Sequence, residues 1–231
     1  MTRESKQRDK ALSIASIAFV AVAAIAMIMT AIMPPPSENL QNSGAANSAP
    51  ANTNIAWPPQ LGNKYPPIEL MSVSGKKVRL ADYAGKVLLI EPIGMNCPAC
   101  LAFAGADERG GFQGNSPQGG LPSIESMLKR EGVAPDDKRL VRVQLLLYSP
   151  SMKAPTLEEV QAWSKHFGFG TGANQLLLFG DASYINNASY NMIPGFQLVD
   201  KDFVLCCDAT GHNPKNDLYR ELLPMVKKLI P

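Results

Sequence analysis

Four cysteines are the residues in this 231-residue chain with the most chemistry available to them, and they fall into two pairs. Cys97-Pro98-Ala99-Cys100 has two thiols three positions apart, which on a helix is one turn and within disulfide reach. Such a pair can be a redox couple, half of a metal clamp or a structural disulfide. A zinc clamp would need a second C-x-x-C; none exists, and adjacent Cys206-Cys207 has the wrong spacing for a zinc knuckle. Cross-linking so short a loop would add little stability, so a purely structural disulfide is a weak reading. Redox work remains. A thiolate attacks where a thiol does not, so the attacking cysteine needs a lowered pKa.

The flanking elements supply the means. "KVLLIEP" is a short, continuously apolar run, as in a strand covered on both faces. "CPACLAFAGA" continues with helix formers, with Pro98 at the first helical position, where a missing N–H costs nothing. Cys97 is then the N-cap, facing unpaired N–H groups and the positive end of the helix dipole, while Cys100 is shielded one turn below. This arrangement makes Cys97 the nucleophile and Cys100 the resolving thiol. Pro-Ala between them carries no cation, which favours a reducing over a strongly oxidising couple.

The remaining elements follow from pattern. "PPIELMSVSGKKVRLADYAGK" alternates about Ser74-Gly75 as a hairpin. "SIESMLKREG" and "TLEEVQAWSKHFG" are helices capped by Ser123 and by Thr156 with Glu159, and "LVRVQLLLY" and "QLLLF" are strands. Residues 195–208 form a late hairpin turning at Asp200-Lys201-Asp202, and a closing helix is interrupted at Pro224. The class is α/β, three layers about a mixed sheet. Pro92 sits uneasily in a central strand, where it removes a ladder donor, and 106–122 makes an enlarged loop close to the cysteines.

Residues 11–33 carry no charge over 23 positions, roughly 34 Å as a helix and enough to cross a hydrocarbon core of ~30 Å. The run exceeds a signal-peptide core and ends in Met33-Pro34-Pro35-Pro36, a poor cleavage site, so a transmembrane anchor is expected. Residues 1–10 form a basic flank that stays cytoplasmic, placing the rest outside, where disulfides persist. Residues 34–66, rich in Pro, Asn, Ser and Ala, read as a flexible tether, and 67–231 as the folded domain. Whether Trp57 in the tether lies on a bilayer or docks on the domain is left open by the sequence. The formal charge of +2 is accounted for by the first ten residues, leaving 18 basic and 18 acidic side chains and no footprint for nucleic acid.

"IELMSVSGKKVRLADYAGKVLLIEPIGMNCPAC" resembles the start of a thioredoxin-fold domain in membrane-anchored thiol–disulfide oxidoreductases of the TlpA/ResA type. The resemblance implies a thioredoxin-like fold behind one transmembrane helix, in a single-pass protein of the bacterial inner membrane with its domain in the periplasm. It implies reduction of disulfides in protein partners, apocytochromes c or oxidase copper-site proteins among them, with recycling by a membrane electron donor. No cofactor beyond the Cys97–Cys100 disulfide and no resident metal is expected. Two further positions carry over by resemblance. Ile193-Pro194 matches the cis-proline beside the redox pair, where client backbone pairs. Glu91, six residues before Cys97, matches a buried acid that takes the proton of Cys100. The family's usual Trp before the first cysteine is Asn96 here.

The second pair, Cys206 and Cys207, lies in "VLCCDATGHNP", where adjacent strand residues should point to opposite faces. A small buried hydrophobe is one reading of these residues and a second redox pair another. With His212 in the following loop, Cys97 and Cys100 offer a Cu(I) alternative, that of a thioredoxin-fold copper metallochaperone. Copper chaperones of the SCO type use C-x-x-x-C, one residue longer than the spacing here. His166 is expected on a helix surface without a task.

Overall fold

The computed structural model describes residues 56–230, so the anchor expected at 11–33, its basic flank and the tether before residue 56 lie outside the described residues. Among the described residues no helix is long and apolar enough to cross a membrane. The hairpin β1 (Glu69–Ser72) and β2 (Lys77–Arg79) leads through Gly85 into β3 (Val87–Gly94). Then come α1 (Pro98–Phe103), α2 (Ala106–Arg109), α3 (Ile124–Arg130), β4 (Leu140–Tyr148), α4 (Leu157–Phe167), β5 (Gln175–Phe179) and α5 (Asn187–Asn191). The chain closes with β6 (Gly195–Val199), β7 (Leu205–Thr210) and α6 (Leu223–Leu229).

The seven strands form one sheet in the order β2-β1-β5-β4-β3-β6-β7. The β3–β4 and β4–β5 pairs are parallel; the outer pairings are antiparallel. Every residue of β3 and β4 is buried, which is why both are mostly apolar, with Glu91 in β3 and Arg142 and Gln144 in β4 as the buried polar exceptions. Even positions of β3 (Leu88, Ile90) share a core with Trp163 of α4, and odd positions (Val87, Leu89) share another with Leu128 of α3 and Val226 of α6. Helices thus cover both faces, making three layers in a thioredoxin-like arrangement.

Pro92 is accommodated by direction. Val87 and Met95, both odd, donate toward β4, to Arg139 and Tyr148 carbonyls, so the missing donor of Pro92 faces the β6 side. There the ladder with β6 covers only Leu88 to Ile90 and has already ended. The expected caps are present: Thr156 and Glu159 exchange reciprocal hydrogen bonds, and the Ser123 hydroxyl accepts from Ser126 N–H. Before Pro224 the chain widens into a π-helical turn, Leu218–Leu222, in which Leu222 N–H reaches back to Asp217 O.

Two sequence expectations are corrected. Residues 57–66, assigned to the tether, belong to the domain. Tyr65 is 1% exposed with its hydroxyl on Gln197 Oε1 at 3.0 Å, and Gly62 and Tyr65 N–H groups donate to Leu205 and Phe203 carbonyls. Trp57 docks as well: its indole N–H donates to Ser189 Oγ at 2.9 Å and its ring meets Tyr184 edge-on at 5.1 Å. The pairing that orders this stretch is with the distant β6–β7 hairpin, which composition cannot reveal. The second correction concerns Cys206 and Cys207. A bulge between β6 and β7 (Leu198 opposite Cys207, Val199 opposite Leu205) leaves Cys206 as the extra residue, and both cysteines pack on the α3/α6 side.

Candidate active site

The backbone that ends β3 turns sharply, with Cys97 N–H bonded to Gly94 O, and delivers Cys97 to the N-cap of α1. Its Sγ accepts from Cys100 N–H at 3.4 Å. Pro98 occupies the first turn, as expected. Both thiols are free, Cys97 half-buried and Cys100 fully buried. A hydrogen bond from the Cys100 thiol, assisted by the Cys100 and Ala99 N–H groups, outweighs burial and lowers the Cys97 pKa to about 7. Burial, and then the proximity of Cys97 and Glu91, pushes the Cys100 thiol well up. One cysteine is therefore ready at neutral pH and the other is held protonated.

Glu91, 2% exposed, is the Cα partner of Gln144 across the parallel β3–β4 ladder. Burial, followed by the charge of Cys97, raises its carboxyl well above the usual range, against the opposing pull of Gln144 and Arg142. Its Oε1 has no hydrogen-bond partner. Arg142 spends its charge elsewhere, donating to Glu125 Oε1 at 3.0 Å and lying 5.3 Å from the centre of the Phe169 ring. A buried carboxyl with one empty acceptor, electrostatically coupled to both thiols, suits proton transfer at this pair.

Ile193-Pro194 is a cis peptide and lies beside the cysteines as the resemblance implies. A Cβ placed on Gly94 would meet Ile193 Cδ1 at 3.7 Å and Asn96 Oδ1 at 3.3 Å, so the bare glycine leaves room for both beneath the site. Gly211 N–H donates to Pro194 O at 2.7 Å, which ties the loop after β7 to the same corner. Cys97, Pro194 and the exposed His212 line a groove of about 280 Å³ together with Tyr148, Met152 and Tyr190. The sequence reading missed the last three. Met152 left no signal in pattern, since it sits in the loop after β4 and is brought to Asn96 only by the fold, with Asn96 Nδ2 to its Sδ at 3.1 Å.

Cys206 and Cys207 do not join this site. Burial, then Asp200, raises Cys206 to about 11, and burial, then Cys206, raises Cys207 to about 12. Among the described residues, no three His, Cys, Asp or Glu side chains are grouped closely enough to hold a metal ion. His166 is not idle on a surface: its Nε2 pairs with Gly110 O at 3.0 Å and its ring contacts Phe112, joining α4 to the loop after α2.

No family model matches the chain, and no curated protein does. Solved structures similar to it include the thioredoxin domain of a thiol-disulfide oxidoreductase from Bacteroides vulgatus, 17% identical over 74% of this chain and 99% of that one, TM-score 0.47. A SCO1/SenC family lipoprotein from Bacillus anthracis is 19% identical over 71% and 93%, TM-score 0.45. A member of the Sco family of cytochrome c oxidase assembly proteins is 17% identical over 73% and 94%, TM-score 0.45. The fold of this chain is carried by its own topology. Parallel β3 and β4, the antiparallel β6–β7 hairpin, a cysteine pair at the start of α1 and Ile193-Pro194 against it make the described domain a thioredoxin-like α/β fold.

Proposed function

We propose that this protein is a membrane-tethered thiol–disulfide oxidoreductase that reduces disulfides in proteins outside the cytoplasm. The observation that carries the reading is the asymmetry of the pair, Cys97 half-exposed with its pKa near 7 and Cys100 buried and protonated. Cys97 thiolate attacks one sulfur of a client disulfide, forming a mixed disulfide and expelling a client thiolate, which takes a proton from water. The ionised fraction of Glu91, whose carboxyl pKa is raised by burial, then takes the Cys100 proton as Cys100 attacks Cys97 Sγ. The Cys97–Cys100 disulfide forms and the second client sulfur leaves as a thiolate that takes the proton held on Glu91, so the client has gained two electrons and two protons. An external dithiol, supplied from the membrane, restores the pair.

The thiolate supports the reducing direction. A strong oxidant needs its reduced form heavily stabilised, with a nucleophile pKa near ~3.5, whereas thioredoxin sits at about 7. Cys97, at about 7, belongs with the second class. Tethering rests on the uncharged run 11–33 and its basic flank. The bacterial inner membrane, with the domain in the periplasm, is the location proposed. The test is the reduction potential of the Cys97/Cys100 couple by equilibration with glutathione. A value near about −270 mV is expected, and one near about −120 mV overturns the reductase reading.

A second reading, a Cu(I) chaperone, has one observation in its favour: His212 and Cys97 line the same groove. Tight Cu(I) binding that is lost in His212→Ala would support it, and disulfide exchange indifferent to His212 supports the enzyme.

A further inference from the structure

Exposed large apolar side chains are few in the described domain, yet two of them, Met152 (41% exposed) and Tyr190 (51%), flank the groove that opens on Cys97. They come from different elements, the loop after β4 and helix α5, and meet only at this mouth. Both are held in place. Met152 has φ of 62°, a left-handed conformation that a side chain of its kind rarely adopts, and its thioether accepts from Asn96, the residue before Cys97. Tyr190 stacks edge-on against Tyr148 at 6.0 Å, and the Tyr148 hydroxyl donates to Asn186 O at 2.8 Å at the start of α5. The same helix is also held by Trp57, whose indole N–H donates to the buried Ser189 hydroxyl. No Asp, Glu, Lys or Arg lines the groove, and the Tyr148 hydroxyl is already occupied by the Asn186 backbone. A mouth flanked by a thioether and an aromatic ring, with Asn96 and His212 among its polar lining and no acid, lysine or arginine, selects at Met152 and Tyr190 by apolar contact.

We infer that Met152 and Tyr190 form a two-sided clamp that selects clients carrying a bulky apolar, above all aromatic, side chain next to the half-cystine attacked by Cys97. The inference rests on the oxidoreductase reading and specifies its client. The clamp acts on the first step, when the Cys97–client disulfide forms, by holding the neighbouring side chain while one client thiolate departs. A client with a carboxylate at that position would meet no lysine or arginine in the groove and, against the Met152 and Tyr190 side chains, would lose water without gaining a charged partner.

The test uses the full-length chain in detergent and two disulfide-linked peptides that differ only in Phe or Asp beside the half-cystine, with glutathione disulfide as a third oxidant. The wild-type chain, reduced beforehand and freed of reductant, is expected to react about ten-fold faster with the Phe peptide in second-order rate constant over a single turnover, equivalent to ~1.4 kcal/mol. Met152→Gly, which suits the positive φ, and Tyr190→Ala should each cut that ratio to three-fold or less; because it is a ratio, partial loss of folded protein does not change it. A wild-type ratio near one, or a ratio unchanged in both variants, with glutathione disulfide still reduced, overturns the clamp alone. No exchange with any of the three oxidants overturns the oxidoreductase reading and the clamp with it.

Discussion

The chain holds two cysteine pairs whose side chains are chemically identical and whose surroundings are opposite. Cys97 stands where a strand hands over to a helix, and N–H groups with no other partner converge on its sulfur. Cys206 and Cys207 stand in β7 at a bulge, where burial is the largest influence on both sulfurs, and the Cys206 thiol itself donates, to Leu198 O at 3.2 Å. The first setting lowers a thiol to about 7 and the second raises its thiols to about 11 and 12. Reactivity is therefore decided by what reaches the sulfur: at Cys97 the Cys100 thiol and the N–H groups of a helix start, at Cys206 and Cys207 burial that those groups do not offset.

The largest break of that comparison is by serine. Cys97→Ser should reduce disulfide exchange to the uncatalysed background, since no other thiolate is available at neutral pH. Cys206→Ser with Cys207→Ser should leave the rate of the folded protein within about two-fold of wild type. A peptide-disulfide reduction assay checks both, and a large loss in the double variant would bring the second pair into the mechanism.

Glu91→Gln comes next. It leaves attack by Cys97 intact and removes the proton acceptor for Cys100, so the mixed disulfide should accumulate and its resolution slow by about 10²-fold, read by quenched-flow trapping. The same variant has a stability signature. The folded Glu91 carboxyl titrates well above its unfolded value of 4.5, so its contribution is full below about that pH and is lost as pH rises through the raised value. Denaturant midpoints should therefore move in favour of the Gln variant with increasing pH; a difference that stays flat would mean that the carboxyl is not buried neutral.

Alkylation sharpens the comparison without mutation. At pH 7 about half of Cys97 is thiolate, while a thiol at about 11 is ionised to roughly one part in 10⁴. The more basic thiolate is intrinsically more nucleophilic, recovering roughly 60-fold for a Brønsted slope near 0.45 over four units. Cys97 should still be labelled by iodoacetamide about 10²-fold faster than Cys206, with a rate midpoint near pH 7. Peptide mass spectrometry over a pH series reads both numbers.

What was legible in the sequence was local. The Ser74-Gly75 hairpin, the Cys97 and Thr156 caps and the mostly apolar β3 and β4 are each decided within a few residues, by turn chemistry, capping groups and two-sided burial. What was not legible depends on pairs far apart in the chain. Trp57 meets Ser189 across 132 positions, Asn96 meets Met152 across 56, and neither residue type announces a partner. The bulge at Cys206 is the instructive failure, since strict alternation predicts opposite faces and one inserted residue cancels it. The placement of Cys97 and Cys100 was readable because a helix start is a local event; the groove beside them was not, because loop, helix and strand ends converge on it only after folding.

The smallest effect separates Cys206 from Cys207. Cys207 is wholly buried among the side chains that α3 and α6 present to the sheet, whereas Cys206 is half-buried with its thiol already donating to the backbone. In Cys207→Ser a hydroxyl replaces a weakly polar thiol in an apolar core, at a cost of about 1–3 kcal/mol if it finds no partner. In Cys206→Ser the new hydroxyl inherits the Leu198 carbonyl as acceptor, and the change should stay within about 0.5 kcal/mol. Urea denaturation of the two single variants gives the difference directly. The predicted order, with exchange kinetics unaltered in both, marks Cys207 as a packing residue; Cys207→Ser that leaves stability intact and slows client reduction would instead mark that sulfur as a working thiol.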